Sequence, residues 1–161
     1  MEENEERKTK MKIAVASDHG GYPLKETVLS TLMELGHEVI DFGTNSYESV
    51  DYPDYAQKAG DAVAKGDVDR AILLCGSGVG VCMTANKIPG VYACVCHDTY
   101  TAFQGVEHDQ MNTLCLGGRV IGTELAIAIV KSFMSAEFSG ISRHERRVNK
   151  MKEIERKQLK G

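Results

Sequence analysis

The 161-residue sequence has no tryptophan, three prolines and no Cys-x-x-Cys pair. Scarce proline with 42% hydrophobic residues excludes broad disorder. No apolar run reaches the roughly 18 residues a spanning helix needs, so no membrane partner is expected. The opening MEENEERKTK lacks the apolar core of a signal peptide. The five cysteines are odd in number and lack metal-site spacing, which argues against a disulfide framework and a structural zinc. No pair among the five histidines has metal-site spacing either, so no metal is expected. Unpaired cysteines suit a reducing compartment, and the expected location is cytoplasmic. The length suits one domain. It is expected over residues 11–161, behind a solvated tail at 1–10. Met11 could serve as an alternative start, because the first apolar strand follows it directly.

Charge is divided unevenly. Residues 143–161 carry eight Lys/Arg against three Glu, a net of +5. The preceding 142 residues carry 11 Lys/Arg against 20 Asp/Glu, a net of −9. An acidic body does not offer the basic surface of a nucleic-acid module, so no nucleic-acid partner is expected. A small anionic ligand fits better.

Apolar runs alternate with helical patterns. Ile13–Ala16, Glu38–Asp41, Ala71–Cys75, Val91–Cys96 and Thr113–Leu116 read as strands. Leu24, Val28, Leu32 and Leu35 share one helical face, with Gly36 as a stop. Residues 44–53 read as a loop, and Ala56, Ala59 and Val63 mark the next helix. A short helix precedes Pro89-Gly90, another covers 99–107, and Leu125, Ile129, Val130 and Phe133 mark a further one. Strands separated by helices imply an α/β fold. The expectation is a three-layer α/β/α, five-stranded parallel Rossmann-like sheet of flavodoxin-type order 2-1-3-4-5, plus a C-terminal helix. Its crevice would lie between the carboxyl ends of strands one and three.

That crevice selects Asp18-His19 and Cys75 through Gly80. Gly76-Ser77-Gly78-Val79-Gly80 joins a strand to a helix, where glycines turn backbone N–H groups toward an anion. It is neither a dinucleotide fingerprint, since Val81 holds the third glycine position, nor a Walker loop. A thiolate of Cys75 at its mouth could act as base or nucleophile. His19, His97 and His108 are candidate proton carriers, whereas His37 at a strand start reads as structural. Ser142-Arg143-His144-Glu145 has capping-box form and starts a helix near 143. At 100° per residue, Arg143, His144 and Arg147 fall in one arc, extended by Val148, Met151 and Ile154. That arc is expected to pack against protein, with both arginines at a helix N-terminus suited to phosphate. Arg119 is a further anion clamp.

Together these residues resemble the type B ribose-5-phosphate isomerase family, which includes the galactose-6-phosphate isomerase subunits. The resemblance spans residues 11–157. Its landmarks are Ser-Asp-His-Gly-Gly at 17–21, Asp-Tyr-Pro at 51–53, Cys-Gly-Ser-Gly-Val-Gly at 75–80, Ala-Asn-Lys at 85–87, Gly-Gly-Arg-Val-Ile-Gly at 117–122 and Arg-His-Glu-Arg-Arg at 143–147. It implies an aldose–ketose isomerase of a phosphorylated sugar that uses no cofactor. Cys75 would be the base, Ser77 and the backbone of Gly76 to Gly80 (Gly78 and Val79 included) would hold the enediolate, and His108 would assist ring opening. Asp18, His19, Tyr52, Asn86 and Asp109 would contact substrate, with Arg119, Arg143, His144 and Arg147 directed mainly to the phosphate. It also implies a homodimer, or a tetramer, with the site at an interface. Ribose 5-phosphate is the expected substrate. A hexose or tetrose phosphate, or a non-catalytic phosphosugar-binding module, are the alternatives. Ser77 stands where many relatives have threonine, and Val81 where some have a glutamate base. Asp109 replaces the family's usual asparagine, exchanging an amide donor for a carboxylate.

Overall fold

A computed structural model describes residues 9–161. Of the expected tail, residues 1–8 lie outside the described residues, and Thr9 and Lys10 are exposed. In chain order the elements are β1 (Lys12–Ser17), α1 (Tyr22–Glu34), β2 (Glu38–Asp41), α2 (Tyr52–Lys65), β3 (Arg70–Cys75) and α3 (Val79–Ala85). Then follow β4 (Ala93–Val95), α4 (Thr99–Asp109), β5 (Thr113–Gly117), α5 (Thr123–Ser135) and α6 (Ser142–Leu159). All strand pairs are parallel, and the register sets Ala14 beside Ala71, Ile72 beside Leu114 and Cys75 beside Gly117.

Alternation along the strands builds two cores. Ile13, Val15, Ile72, Leu74, Leu114 and Leu116 pack with Leu24, Val28, Val106, Ile129 and Phe133 from α1, α4 and α5. Ala14, Ala16, Ala71, Leu73 and Cys115 pack with Ala56, Ala59, Val81 and Ala85 from α2 and α3. Each fully buried Leu or Ile contributes roughly 1.5–3 kcal/mol relative to exposure. The second core is built of smaller residues, and α2 packs tightly on the segment that follows α3. A β-carbon on Gly60 of α2 would meet Ile88 at 2.5 Å.

The α/β/α class matches expectation, but the strand order does not. It is β2-β1-β3-β5-β4, with β5 inside and β4 at the edge. The burial of the two strands gives the reason. Every residue of β5 is buried, whereas β4 has only three residues, with Cys94 exposed. An interior strand must be apolar on both faces, and only β5 meets that demand. The exchange also relocates a helix. With right-handed crossovers, a β4-to-β5 return places α4 on the face of α1 and α5 rather than with α2 and α3.

Two boundaries also shift. The helix expected from about Ala56 begins at Tyr52, with Pro53 in the first turn, where its fixed φ suits a helix start. The expected capping box does not form. Ile141 is the N-cap of α6, and its carbonyl accepts from the His144 and Glu145 N–H groups. Ser142 is already helical.

Lys25 is a buried charge that the sequence reading passed over. Its Nζ lies 2.9 Å from Asp41 and donates to the Thr44 carbonyl and, at 2.6 Å, to Asn45 Oδ1. Pairing of this kind is what permits a buried ammonium. It fastens the segment whose Gly43 and Thr44 backbones bond Ser17, directly before Asp18.

Candidate active site

β3 ends at Cys75, which is 4% exposed. The chain then turns through Gly76 and Ser77 to Gly78, the N-cap of α3. Gly78 has φ +80°, a left-handed conformation that glycine adopts without a β-carbon penalty. This turn aims the Gly78 N–H at Cys75 Sγ, 3.0 Å away. Ser77 Oγ accepts from the Val79 N–H at 3.2 Å. The loop is held from below by β5. A β-carbon on Gly117 would sit 2.7 Å from the Ser77 backbone. Gly118 and Arg119 N–H groups donate to the Cys75 and Gly76 carbonyls at 2.8 and 3.0 Å. Backbone packed on backbone leaves the loop few ways to rearrange.

A cleft of about 380 Å³ opens above this loop, lined by Asp18, Tyr52, Cys75, Gly76, Ser77, Gly80, Arg119 and Val120. The Tyr52 ring lies against Gly80, and the Arg119 guanidinium lies over Gly76. Asp18 Oδ1 accepts from the Gly20 and Gly21 N–H groups at 2.8 and 3.0 Å, which fixes the carboxylate at the cleft wall. His19 Nδ1 accepts from the Val50 N–H at 3.2 Å, so the neutral ring carries its proton on Nε2. His97 Nε2 accepts from the Gly117 N–H at 2.9 Å, a structural use of a ring that the sequence kept as a proton carrier. His37, read as structural, accepts from the Met11 N–H through Nδ1.

The remaining candidates form a second cluster. His108 stacks on His144, with ring centroids 4.0 Å apart. His108 Nδ1 meets Gln104 at 3.0 Å, its Nε2 meets Glu107 at 3.2 Å, and Gln104 also reaches Asp109. His144 is buried, with Nδ1 2.6 Å from Ser139 Oγ. Burial, then the neighbouring His108, Arg143 and Arg147, hold its pKa below the ordinary histidine value, while Glu107 opposes them. The expected arc of α6 divides here. His144 and Val148 pack inward, whereas Arg143, Arg147, Met151 and Ile154 are exposed. Helical phase grouped the residues but not the side that packs: the stacking of His144 on His108 rotates the arginines outward.

The two clusters lie at opposite ends of the sheet. Cys75 ends a strand, whereas His108 and Asp109 end a helix that runs back to the start of β5. The length of β3 separates them, roughly 20 Å at 3.3 Å per residue. One chain therefore does not bring His108, Asp109, Arg143, His144 or Arg147 to the cleft of Cys75. Asn86 also points elsewhere. Its side chain bonds the Ala93 carbonyl and N–H at 2.9 and 2.8 Å, tying α3 to β4. Lys25 had a legible signal, since it lies three residues before Val28 and seven before Leu32, on the buried stripe of α1. A wider hollow of about 480 Å³ near the amino end of the sheet contains Arg70 and Lys152. Both are committed, Arg70 to the Phe133 and Ala136 carbonyls and Lys152 to Gln110.

A thiol with an N–H on its sulfur, a glycine loop at a helix start and a cationic side chain above it can remove a proton and stabilise the oxyanion that results. Known proteins share the sequence and fold over nearly the whole chain. The family model described as Ribose/Galactose Isomerase matches residues 13–151. Ribose-5-phosphate isomerase B of Escherichia coli is 45% identical over 146 residues, covering 91% of this chain and 97% of that protein. D-erythrulose-4-phosphate isomerase of Pectobacterium atrosepticum is 39% identical over 131 residues, covering 81% and 86%. The solved structure of ribose-5-phosphate isomerase B from Clostridium thermocellum superposes with a TM-score of 0.89 at 50% identity, covering 92% of this chain and 99% of that one. With the matched segment running from the first strand into the last helix, the chain belongs to the ribose/galactose isomerase family.

Proposed function

We propose that the protein interconverts ribose 5-phosphate and ribulose 5-phosphate, with Cys75 as the base. The observation that carries this reading is the Cys75 sulfur held 3.0 Å from the Gly78 N–H at the floor of the cleft. The thiolate takes the proton from carbon two of the open-chain aldose. The electron pair forms the carbon one–carbon two double bond, and the aldehyde oxygen becomes an enediolate oxygen. The thiol then returns the proton to carbon one, while the proton on oxygen two passes to oxygen one. Ser77 and the loop N–H groups of Gly76 to Gly80 stabilise the enediolate, a role preorganised donors fill without a metal. Asp18, His19 and Tyr52 orient the sugar beside them. The phosphate lies far from the reacting carbons, so its binding energy can position them.

The separated clusters support a site completed by a second copy. A two-fold dimer would set His108, Asp109, Arg143, His144 and Arg147 of one copy over the cleft of the other. His108 would then open the sugar ring, and the exposed arginines would clamp the phosphate. The test mixes Cys75→Ala with His108→Ala protein after dissociation and reassociation. If sites are shared, random pairing restores roughly a quarter of wild-type activity. Mixtures as inactive as their components would sink the shared site.

The substrate is tested with a panel of pentose, tetrose and hexose phosphates in deuterated water. Deuterium entering carbon two of ribose 5-phosphate with the highest kcat/KM is the expected result. A higher value for the tetrose phosphate would favour the second reading, which rests on the erythrulose-phosphate relative and on Asp109. No exchange with any sugar would instead identify a binding module. The five free thiols favour a reducing cytoplasm. No helix of the described residues is long and apolar enough to cross a membrane.

A further inference from the structure

Cys75, Cys82, Cys94 and Cys115 gather around the α3–β5 contact, and the proposed isomerase reaction uses only Cys75. Cys82 sits on α3, half-buried. It packs against the small-residue core that contains Cys115, which is fully buried on β5. Two groups converge on the Cys82 sulfur. The Val95 N–H points to it from β4, and Asn86 Nδ2 lies 3.6 Å away. Asn86 is held in that position by both of its bonds to Ala93. A sulfur surrounded by a thiol, an amide N–H and a side-chain amide is built to carry negative charge.

We propose that Cys82 and Cys115 form an oxidation site, in which a hydroperoxide oxidises Cys82 and Cys115 closes the disulfide. The Cys82 thiolate attacks the outer peroxide oxygen, the O–O bond breaks, and the departing alkoxide takes a proton to leave as an alcohol. Cys82 is then a sulfenic acid. The Cys115 sulfur attacks the Cys82 sulfur, the S–O bond breaks, and the hydroxyl leaves with the Cys115 proton as water. Two thiols have lost two electrons and two protons, and the hydroperoxide has become alcohol and water.

The division of roles follows from the surroundings. The hydrogen bond from Cys115, aided by the Val95 N–H and opposed by burial, lowers the Cys82 pKa to about 7. Burial pushes Cys115 well above the ordinary thiol value. Cys82 is thus the attacking sulfur and Cys115 the resolving one. Cys75 is 4% exposed with its sulfur under the Gly78 N–H, and Cys96 is 1% exposed, so neither meets oxidant as readily as Cys82. The resulting bond would join α3, which follows the loop after Cys75, to β5, which supports that loop from below.

The experiment treats the full-length reduced protein with hydrogen peroxide and maps the thiols by mass spectrometry without reduction. Fragmentation is needed, because Cys75 and Cys82 share the tryptic peptide 71–87. The expected product is a Cys82–Cys115 crosslink that dithiothreitol reverses. In Cys115→Ser the oxidation should stop at Cys82 sulfenic acid, captured by dimedone. In Cys82→Ser both the crosslink and the dimedone adduct at 82 should vanish, with Cys115 still reduced. The Cys82→Ser variant keeps the proposal testable if the buried Cys115 change prevents folding. Oxidation at Cys75 or Cys94 with Cys82 still a free thiol would overturn the proposal. So would a crosslink from Cys82 to Cys94.

Discussion

The cleft at the carboxyl end of the sheet and the histidine–arginine cluster at the end of α4 are built in different ways. The cleft is a backbone construction. Gly117 seats Ser77, the Gly118 and Arg119 amides bond back to β3, and Gly78 turns its N–H onto Cys75. The α4–α6 cluster depends on side chains. His144 stacked on His108, Lys152 bonded to Gln110 and Glu155 bonded to Tyr92 hold α6 in register, and the arginines beside the stack stand exposed. In the proposed reaction, the chemistry that needs donors at fixed positions falls to the backbone-built region, and capture of the remote phosphate to the region whose long side chains can adapt.

The sharpest way to break this comparison is at the base. Cys75→Ala should lower kcat by about 10²–10⁴-fold while KM stays within about threefold, because proton transfer is lost and binding is not. Steady-state kinetics on ribose 5-phosphate checks it, and turnover near wild type would remove Cys75 from its role. Next in size is Arg147→Ala. A lost charge-assisted hydrogen bond of roughly 1.5–3 kcal/mol should raise KM about 10–100-fold with kcat little altered. A fall in kcat with unchanged KM would mean that the arginine acts on the reacting carbons instead.

The smallest effect concerns the stacked rings. His144 is held below its unfolded pKa of about 6.5, so the folded protein binds fewer protons there than the unfolded chain. Its contribution to stability is full above that value and is lost as pH falls through the lowered folded pKa. Thermal unfolding followed between pH 7.5 and 5.0 should show an acid-side decline that is shallower in His144→Gln. The groups facing it are His108, Arg143, Arg147 and Glu107. Parallel declines in the two proteins would assign the acid sensitivity to another group.

Much of the cleft was legible because its demands fall on local chain geometry. A strand ending in cysteine, followed by three glycines in five residues, leaves few arrangements. The strand order was less legible. Val91–Cys96 and Thr113–Leu116 both read as apolar runs, and only packing shows that Cys94 faces outward while Cys115 is buried. The same limit applies to α6. Its 3.6-residue period groups Arg143 with Arg147 and His144 with Val148, but the choice between those faces is made by His108, 36 residues earlier in the chain. Asn86 is a third case. Its amide is drawn to the unpaired backbone of a short edge strand, a pull that no local motif records.

The exchanged strands also constrain the order of assembly during synthesis. β4 leaves the ribosome before β5, yet β5 is its hydrogen-bonding neighbour in the sheet. β3 must likewise hold one edge open until residues 113–117 emerge. A nascent chain ending near residue 95 therefore presents an unpaired β3 edge and a β4 segment with nothing beside it. Such an edge is a template for pairing with another chain. Over the 17 residues between Val95 and Thr113, both β3 and β4 await the same partner strand.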